Sequence, residues 1–512
     1  MILYLRHLAR GGGDVLAQIL RRKVPTQKRL VVDYSSPNIA KHFHVGNLRS
    51  TIVGEFFCKI NRLAGNEVKS VNYLGDWGTQ FALLAAYWPN SKAKIEFDSL
   101  SSNSSVRERL LPLMNGYVEA FEFAENNPDF RSQVTNSYLA EMENALIDGR
   151  DNNSALKLWR EFRQLSCDYL DQFYANMKIS FDHWDAESYH VPAARRMMEE
   201  LIQTNQATLT KDGLWIVRDK VTDSYSVLRR SNESTLYLSR ELAATLARDE
   251  RFNADSYVYV VDLAQTSHFV HLKHLLKVVK REDLADKIVH LQFGRVIGMS
   301  TRRKRVELVE EVLDEGVKHA EKYIRKSKTM RVPEDEVSET CQELAEAALF
   351  INEFKRNKAS NYTFFIDEAF QQKSRSFFLH ASFQSYYSLE KYAKLCSLIE
   401  NNSDLKAELR QRLDSDMSDL RIETDSCSRG MIQCLYELDG ALFTSYSTSE
   451  ASALLAYLHR LGSCVGSAIS KLQLRHEPNR DVALNRMLLF MAAKNVMEEM
   501  FYLIGLKPLK RI

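Results

Sequence analysis

Between Arg29 and Gln80 the spacing of apolar residues changes period twice, from extended to helical and back. Leu30, Val31 and Val32 form a short β-branched run, closed by Ser35, Ser36, Pro37 and Asn38, which suits a buried parallel strand. From Leu48 the apolar positions fall at Ile52, Phe56, Ile60 and Leu63, a helical stripe, and Gly65 with Asn66 supplies a left-handed stop. Val68 to Leu74 then reads as a second strand.

After Gln80 the period is helical over 81–88, 106–125 and 154–177, where Leu156, Trp159, Phe162, Leu165, Leu170 and Phe173 mark a core face. Ser99 to Ser105 is a polar loop, and Asp212-Gly213 marks a turn between strand-like runs. The second half of the sheet is expected to begin near Leu236, with Ser256–Asp262 strongly β and another short strand in 288–297 ending at Gly294. Residues 306–354 are helical and rich in charge, and beyond about 375 the chain is all helical. Asp481–Ile504 is the clearest helix, stopped by Gly505 and Pro508. The pattern predicts an α/β protein: a Rossmann-like parallel-sheet nucleotide-binding domain over 31–310, interrupted by a helical insertion at about 82–230. A helical linker over 311–374 and an all-α C-terminal helix bundle over 375–512 follow.

Composition narrows this further. At 512 residues the chain exceeds what one core can hold. Its 69 Lys and Arg nearly balance 67 Asp and Glu, so a nucleic-acid partner would need local basic patches. The seven cysteines are scattered without a CxxC, which argues for reduced thiols over a disulfide frame or a structural metal. No apolar run approaches a membrane span. The first thirty residues carry seven Arg and Lys against the single acid Asp14; this segment reads equally as a presequence or as what remains of a reduced N-terminal domain.

The chemistry concentrates in the first turn. A strand that feeds a helix through a polar turn puts free N–H groups and the positive end of the helix dipole at the carboxyl edge of the sheet, where an anion binds. Lys41, His42 and His44 add positive charge, and Gly46 lets a base or phosphate approach the backbone. Neither GxGxxG nor GxxxxGK[ST] is present, so this nucleotide site is of another kind. His268, His271 and His274 sweep around a helix with no acid or Cys to complete a metal set.

Ser35-Ser36-Pro37-Asn38-Ile39-Ala40-Lys41, then His44-Val45-Gly46-Asn47, Leu48-Arg49-Ser50-Thr51 and Gly75-Asp76-Trp77-Gly78-Thr79-Gln80 together resemble the class I arginyl-tRNA synthetases, the mitochondrial type in particular. Leu236-Tyr237-Leu238-Ser239-Arg240-Glu241 looks like that family's LYLTRD segment. Gly298-Met299-Ser300-Thr301-Arg302-Arg303-Lys304 looks like its version of KMSK. Two positions depart from the pattern: Asn47 stands where HxGH ends in His, and Gly298 where KMSK begins with Lys, whose charge Lys41 would replace.

The resemblance implies activation of L-arginine by ATP, with Mg2+ carried by the nucleotide, and transfer of the arginyl group to the terminal ribose of tRNA(Arg). Lys41, His44 and Asn47, with Ser300, Arg302 and Arg303, would be catalytic, and His44, Gly46, Asn47, Gly298, Met299 and Ser300 would hold ATP. Asp33, Ser36, Pro37, Asn38, Asn47, Tyr237, Glu241 and Gln265 would hold arginine, with both acids approaching one guanidinium. A monomer in the mitochondrial matrix is implied, or in the cytoplasm if the N-terminal segment is no presequence. Asn47, Gly298 and the short N-terminus also admit a catalytically weakened synthetase retained as a tRNA-binding protein, and another nucleotidyl transferase of the same fold is a third reading.

Overall fold

The computed structural model describes all residues except 1, 12–14, 42, 102, 220, 222, 231, 298–307, 328–330, 371–380, 415–424 and 510–512. In chain order the first elements are α1 (Ile2–Arg10), α2 (Val15–Arg21), β1 (Arg29–Asp33), α3 (Val45–Leu63) and β2 (Glu67–Leu74). The remaining strands are β3 (His183–Ala186), β4 (Thr208–Leu209), β5 (Trp215–Asp219), β6 (Ser224–Arg229), β7 (Ser256–Asp262) and β8 (Ile288–Phe293). Two compact units form: one from residues 28–51 and 68–308, the other from 1–27, 52–67 and 309–512.

The first unit holds a five-stranded sheet in the order β3-β2-β1-β7-β8, with β2–β3, β1–β7 and β7–β8 parallel. β1 lies between β2 and β7, so the chain leaves it to one side and later returns on the other. Such a switch point opens a crevice at the carboxyl ends of the strands. Val31, Val71, Tyr257, Tyr259 and Ile288 from the strands are buried against Leu242, Phe269, Leu272 and Leu276 from the helices Tyr237–Phe252 and Thr266–Val278.

The α3 stop forms as its sequence requires. Gly65 takes φ +95°, and the Asn66 N–H reaches back to the Asn61 carbonyl at 3.0 Å, closing the last turn. The stripe of the helix Ser154–Asn176 is buried as core, including Trp159, Phe162 and Phe173.

Two expectations need correction. The stretch 82–230 is not purely an insertion, because β3 inside it pairs with β2 as an outer strand of the main sheet. Its four residues, His-Trp-Asp-Ala, have no apolar run to announce a strand; pairing with β2 decides it. The same stretch also carries a small antiparallel sheet, β4-β5-β6, whose first hairpin turns at Asp212-Gly213. Near Leu236 the chain opens a helix, Tyr237–Phe252, and returns to the sheet only at Ser256.

The second unit is helical, and α1 and α2 are folded into it. The Tyr4 hydroxyl donates to Asp439 at 2.9 Å, its ring stacks on Tyr436, and Asn495 Nδ2 donates to the Leu8 and Ala9 carbonyls. The helix Arg480–Leu503 starts from an Asn479 cap and ends before Gly505, at φ +77°.

Candidate active site

A cavity of about 820 Å3 opens at the carboxyl ends of β1, β2 and β7. Asp33, Ser36, Asn38, Lys41, His44, Gly46, Asn47, Tyr237, Glu241 and Gln265, all singled out from sequence, line it. Pro37 does not; it is buried beside the cavity, and its carbonyl accepts the Gly75 N–H at 3.1 Å. Gly298, Met299, Ser300, Arg302 and Arg303, like His42, lie outside the described residues.

The turn after β1 is held in an unusual conformation. Ser35 and Ser36 both have positive φ, 67° and 45°. Ser36 Oγ donates to Asp33 Oδ1 at 2.6 Å and accepts the Tyr73 N–H at 3.1 Å, while the Ser36 N–H donates to Asn72 Oδ1. Beyond it, His44 and Asn47 cap α3 reciprocally: the His44 N–H donates to Asn47 Oδ1, and the Asn47 N–H to His44 Nδ1, both at 3.3 Å. Asn47 thus has a structural role that its amide oxygen suits. The His44 ring lies over Gly46, where a Cβ would meet Cε1 and Nδ1 at 2.9 Å, so a side chain there would displace the ring. Arg49, on the next turn, donates to the Gly294 carbonyl at 2.7 Å, four residues before the second signature.

The opposite half of the cavity is acidic, and its acids are buried while Tyr237 is exposed. Tyr237 and Glu241, one helical turn apart, both face it. Glu241 is 2% exposed, and its Oε1 has no hydrogen-bond partner. Burial, reinforced by Asp33, Glu187 and Asp185 and opposed by Arg248, raises its carboxyl to about 8. Both expected acids do approach one guanidinium, but it belongs to the chain: Arg248 Nη1 lies 2.7 Å from Asp33 and 3.7 Å from Glu241.

Glu187, Arg240, Asp185 and Arg248 escaped the sequence reading. Glu187 lines the cavity and takes the Nε and Nη2 of Arg240 at 2.9 and 2.7 Å. It follows β3, which the sequence does not announce, so nothing in the sequence marks it. Gly75, Trp77 and Gly78 line the cavity too, and the segment is held by buried Asp76, which accepts the Ser188 N–H and hydroxyl and pairs with Arg163, and by Trp77, which donates to Glu143. The three histidines go separate ways, His268 against the Tyr237 ring at 4.8 Å, His271 to Ser226 and His274 near Asp219.

Residues 14–366 match the family described as tRNA synthetases class I (R), catalytic domain, and residues 388–512 match the DALR anticodon binding domain. The chain belongs to the class I arginyl-tRNA synthetases. It is 30% identical over 491 residues to a probable mitochondrial arginine–tRNA ligase of Mus musculus, covering 95% of this chain and 79% of that one. To the mitochondrial arginine–tRNA ligase of Saccharomyces cerevisiae it is 27% identical, covering 96% and 73%. The fold matches the arginyl-tRNA synthetase of Plasmodium falciparum with a TM-score of 0.69 at 21% identity, covering 95% of this chain and 78% of that one. It matches that of Thermus thermophilus at 0.68 and 15%, covering 97% and 86%. The family joins arginine to tRNA at the expense of ATP, and this chain is an aminoacyl-tRNA ligase of that kind.

Proposed function

We propose that arginine lies in the cavity with its guanidinium on Glu241 and Tyr237 and its α-amino and carboxylate groups toward Ser36, Asn38 and Gln265. ATP lies along the rim formed by Lys41, His44, Gly46 and Asn47. The observation that carries this reading is the buried Oε1 of Glu241 beside Tyr237, which accepts no hydrogen bond within the chain and which a planar cation would satisfy.

In-line attack of a carboxylate on the α-phosphate needs positioning and charge neutralisation more than a strong acid or base. Lys41 and the His44 ring meet the charge that develops on the phosphate, and the start of α3 adds the positive end of its dipole. The rim offers cations to the phosphates, and Mg2+ would arrive on the triphosphate. When bound, that ion supplies further charge neutralisation. Gly298, Met299, Ser300, Arg302 and Arg303 complete the phosphate side in this reading. Residues 388–512 bind the anticodon arm of tRNA(Arg), and the enzyme works as a monomer in the mitochondrial matrix; the names of its mitochondrial relatives support the compartment.

Arginine-dependent exchange of pyrophosphate into ATP, measured with and without tRNA(Arg), tests the reading. Exchange that needs both arginine and tRNA, is inhibited by agmatine and ignores lysine is the expected result. Binding of tRNA without any exchange would overturn it.

A further inference from the structure

The floor of the amino-acid pocket contains a row of side chains of which only Asp33 has so far been given a role. Tyr73 on β2 pairs in register with Asp185 on β3, and Asp33 on β1 with Tyr259 on β7. One residue lies across all four. Arg248, three turns along the helix Tyr237–Phe252, is 3% exposed and sits over the rings of Tyr73 and Tyr259, 4.6 and 5.5 Å from their centroids. Its Nη1 pairs with Asp33 at 2.7 Å and its Nε lies 3.5 Å from Asp185. Glu241, two turns earlier on the same helix, is farther away at 3.7 Å.

We propose that Arg248 is a positioning residue for amino-acid selection: it engages Asp33 and Asp185 from below and so leaves Glu241 as the acid that receives the substrate's guanidinium. The assignment rests on the reading of this cavity as the arginine site.

The geometry supports it from both sides. Asp33 is the acid that holds Ser36 Oγ, and Ser36 in turn holds the left-handed turn that shapes the pocket's polar end. An ionised Asp33 in so dry a place needs a cation, and Arg248 supplies it. Asp185 is also met by His190 Nε2 at 2.8 Å, so it has a second partner. Glu187 is taken by Arg240. Among these acids Glu241 is therefore left with a carboxylate oxygen, Oε1, that accepts no hydrogen bond and meets Arg248 Nη1 only at 3.7 Å, and it stands on the cavity wall. The titratable groups facing Glu241 are Asp33 from β1, Tyr73 from β2, Asp185 and Glu187 from β3 and the turn after it, Tyr259 from β7, and Tyr237 and Arg248 from its own helix. Of these Arg248 is the cation. Without it, both Asp33 and Glu241 would hold their protons more tightly, and Glu241 would yield its carboxylate to a guanidinium less readily.

Arg248→Gln and Arg248→Lys, compared with the wild-type enzyme in tRNA-supported pyrophosphate exchange across pH, test this. Arg248→Gln is expected to raise the KM for arginine about tenfold or more. The KM for ATP should stay within about twofold and kcat within about threefold. The acid limb of kcat/KM for arginine should move up by about one pH unit, since a cation has left the floor. Arg248→Lys keeps the charge without the fork; it should restore the acid limb while the arginine KM stays raised several-fold. Unaltered arginine KM and acid limb in Arg248→Gln overturn the assignment, as does an equal loss for ATP, which would mark a merely structural residue. If Arg248→Gln does not fold, Arg248→Lys decides alone, and an unchanged arginine KM in it counts against the proposal. A wild-type enzyme with no arginine-dependent exchange would instead sink the pocket reading, and this assignment with it.

Discussion

With arginine and ATP placed as proposed, the two halves of the one cavity would recognise charge by opposite means. On the side-chain half, Asp33, Glu187 and Glu241 are each under 8% exposed, and Arg240 and Arg248, the cations that face them, are as deeply buried. On the phosphate half, Lys41, His44 and Asn47 are half-buried and Arg295 is exposed, so solvent screens every charge. A dry, prearranged acid discriminates strongly, because a ligand that fails to satisfy it leaves an unpaired charge in low dielectric. A wet rim attracts any polyanion at little cost and discriminates weakly. An arginine–tRNA ligase must tell arginine from other amino acids, so under the proposed placement the buried acids stand on the half where discrimination is needed.

The comparison is most exposed to failure at Glu241. Glu241→Gln should lower kcat/KM for arginine by about a hundred- to a thousandfold and leave the KM for ATP nearly unchanged. Equal losses on both substrates would erase the distinction between the halves.

Next comes pH. With its carboxyl raised to about 8, Glu241 is largely protonated in the empty pocket at neutral pH, and binding a guanidinium expels that proton. Arginine affinity, followed by calorimetry, should therefore strengthen about tenfold per pH unit between about 6 and 8 and level off above. In Glu241→Gln the slope should vanish. Stability carries the mirror image. The folded state holds this proton more tightly than the unfolded one, so the contribution of Glu241 to stability is complete below about 4.5 and lost as pH rises through about 8. Melting temperatures of Glu241→Gln should thus gain on the wild type as pH rises from about 5 to 9.

The rim should respond more mildly. Gly46→Ala pushes the His44 ring off its cap, since the new Cβ would lie 2.9 Å from it, and should cost kcat about tenfold with arginine KM within about threefold. The smallest effect is expected at Lys41→Ala, a rise of about three- to tenfold in the KM for ATP that shrinks with added salt. A salt-insensitive loss at Lys41 would mean that the rim, too, is dry.

What the amino-acid sequence determined by itself was local. β1, the polar turn, α3 and β2 were readable because their periods, their stop at Gly65 and their signature residues all lie within about fifty positions of one another. The Tyr237–Glu241 pair was readable only through the resemblance of its segment to LYLTRD; the helix Tyr237–Phe252 that puts the two on one face came with the structure. Tertiary structure decided the rest. β3 has too few apolar residues to declare itself and is a strand because β2 lies alongside. Arg248, in a stretch that reads as an ordinary charged helix end, becomes the buried cation of the pocket floor because β1, β3 and its own helix bring Asp33, Asp185 and Glu241 to it from positions up to 215 residues away. Periodicity records which face of an element is buried. It holds no record of which distant charge that face will meet, and in a dry interior that meeting sets both the protonation of an acid and what it can bind.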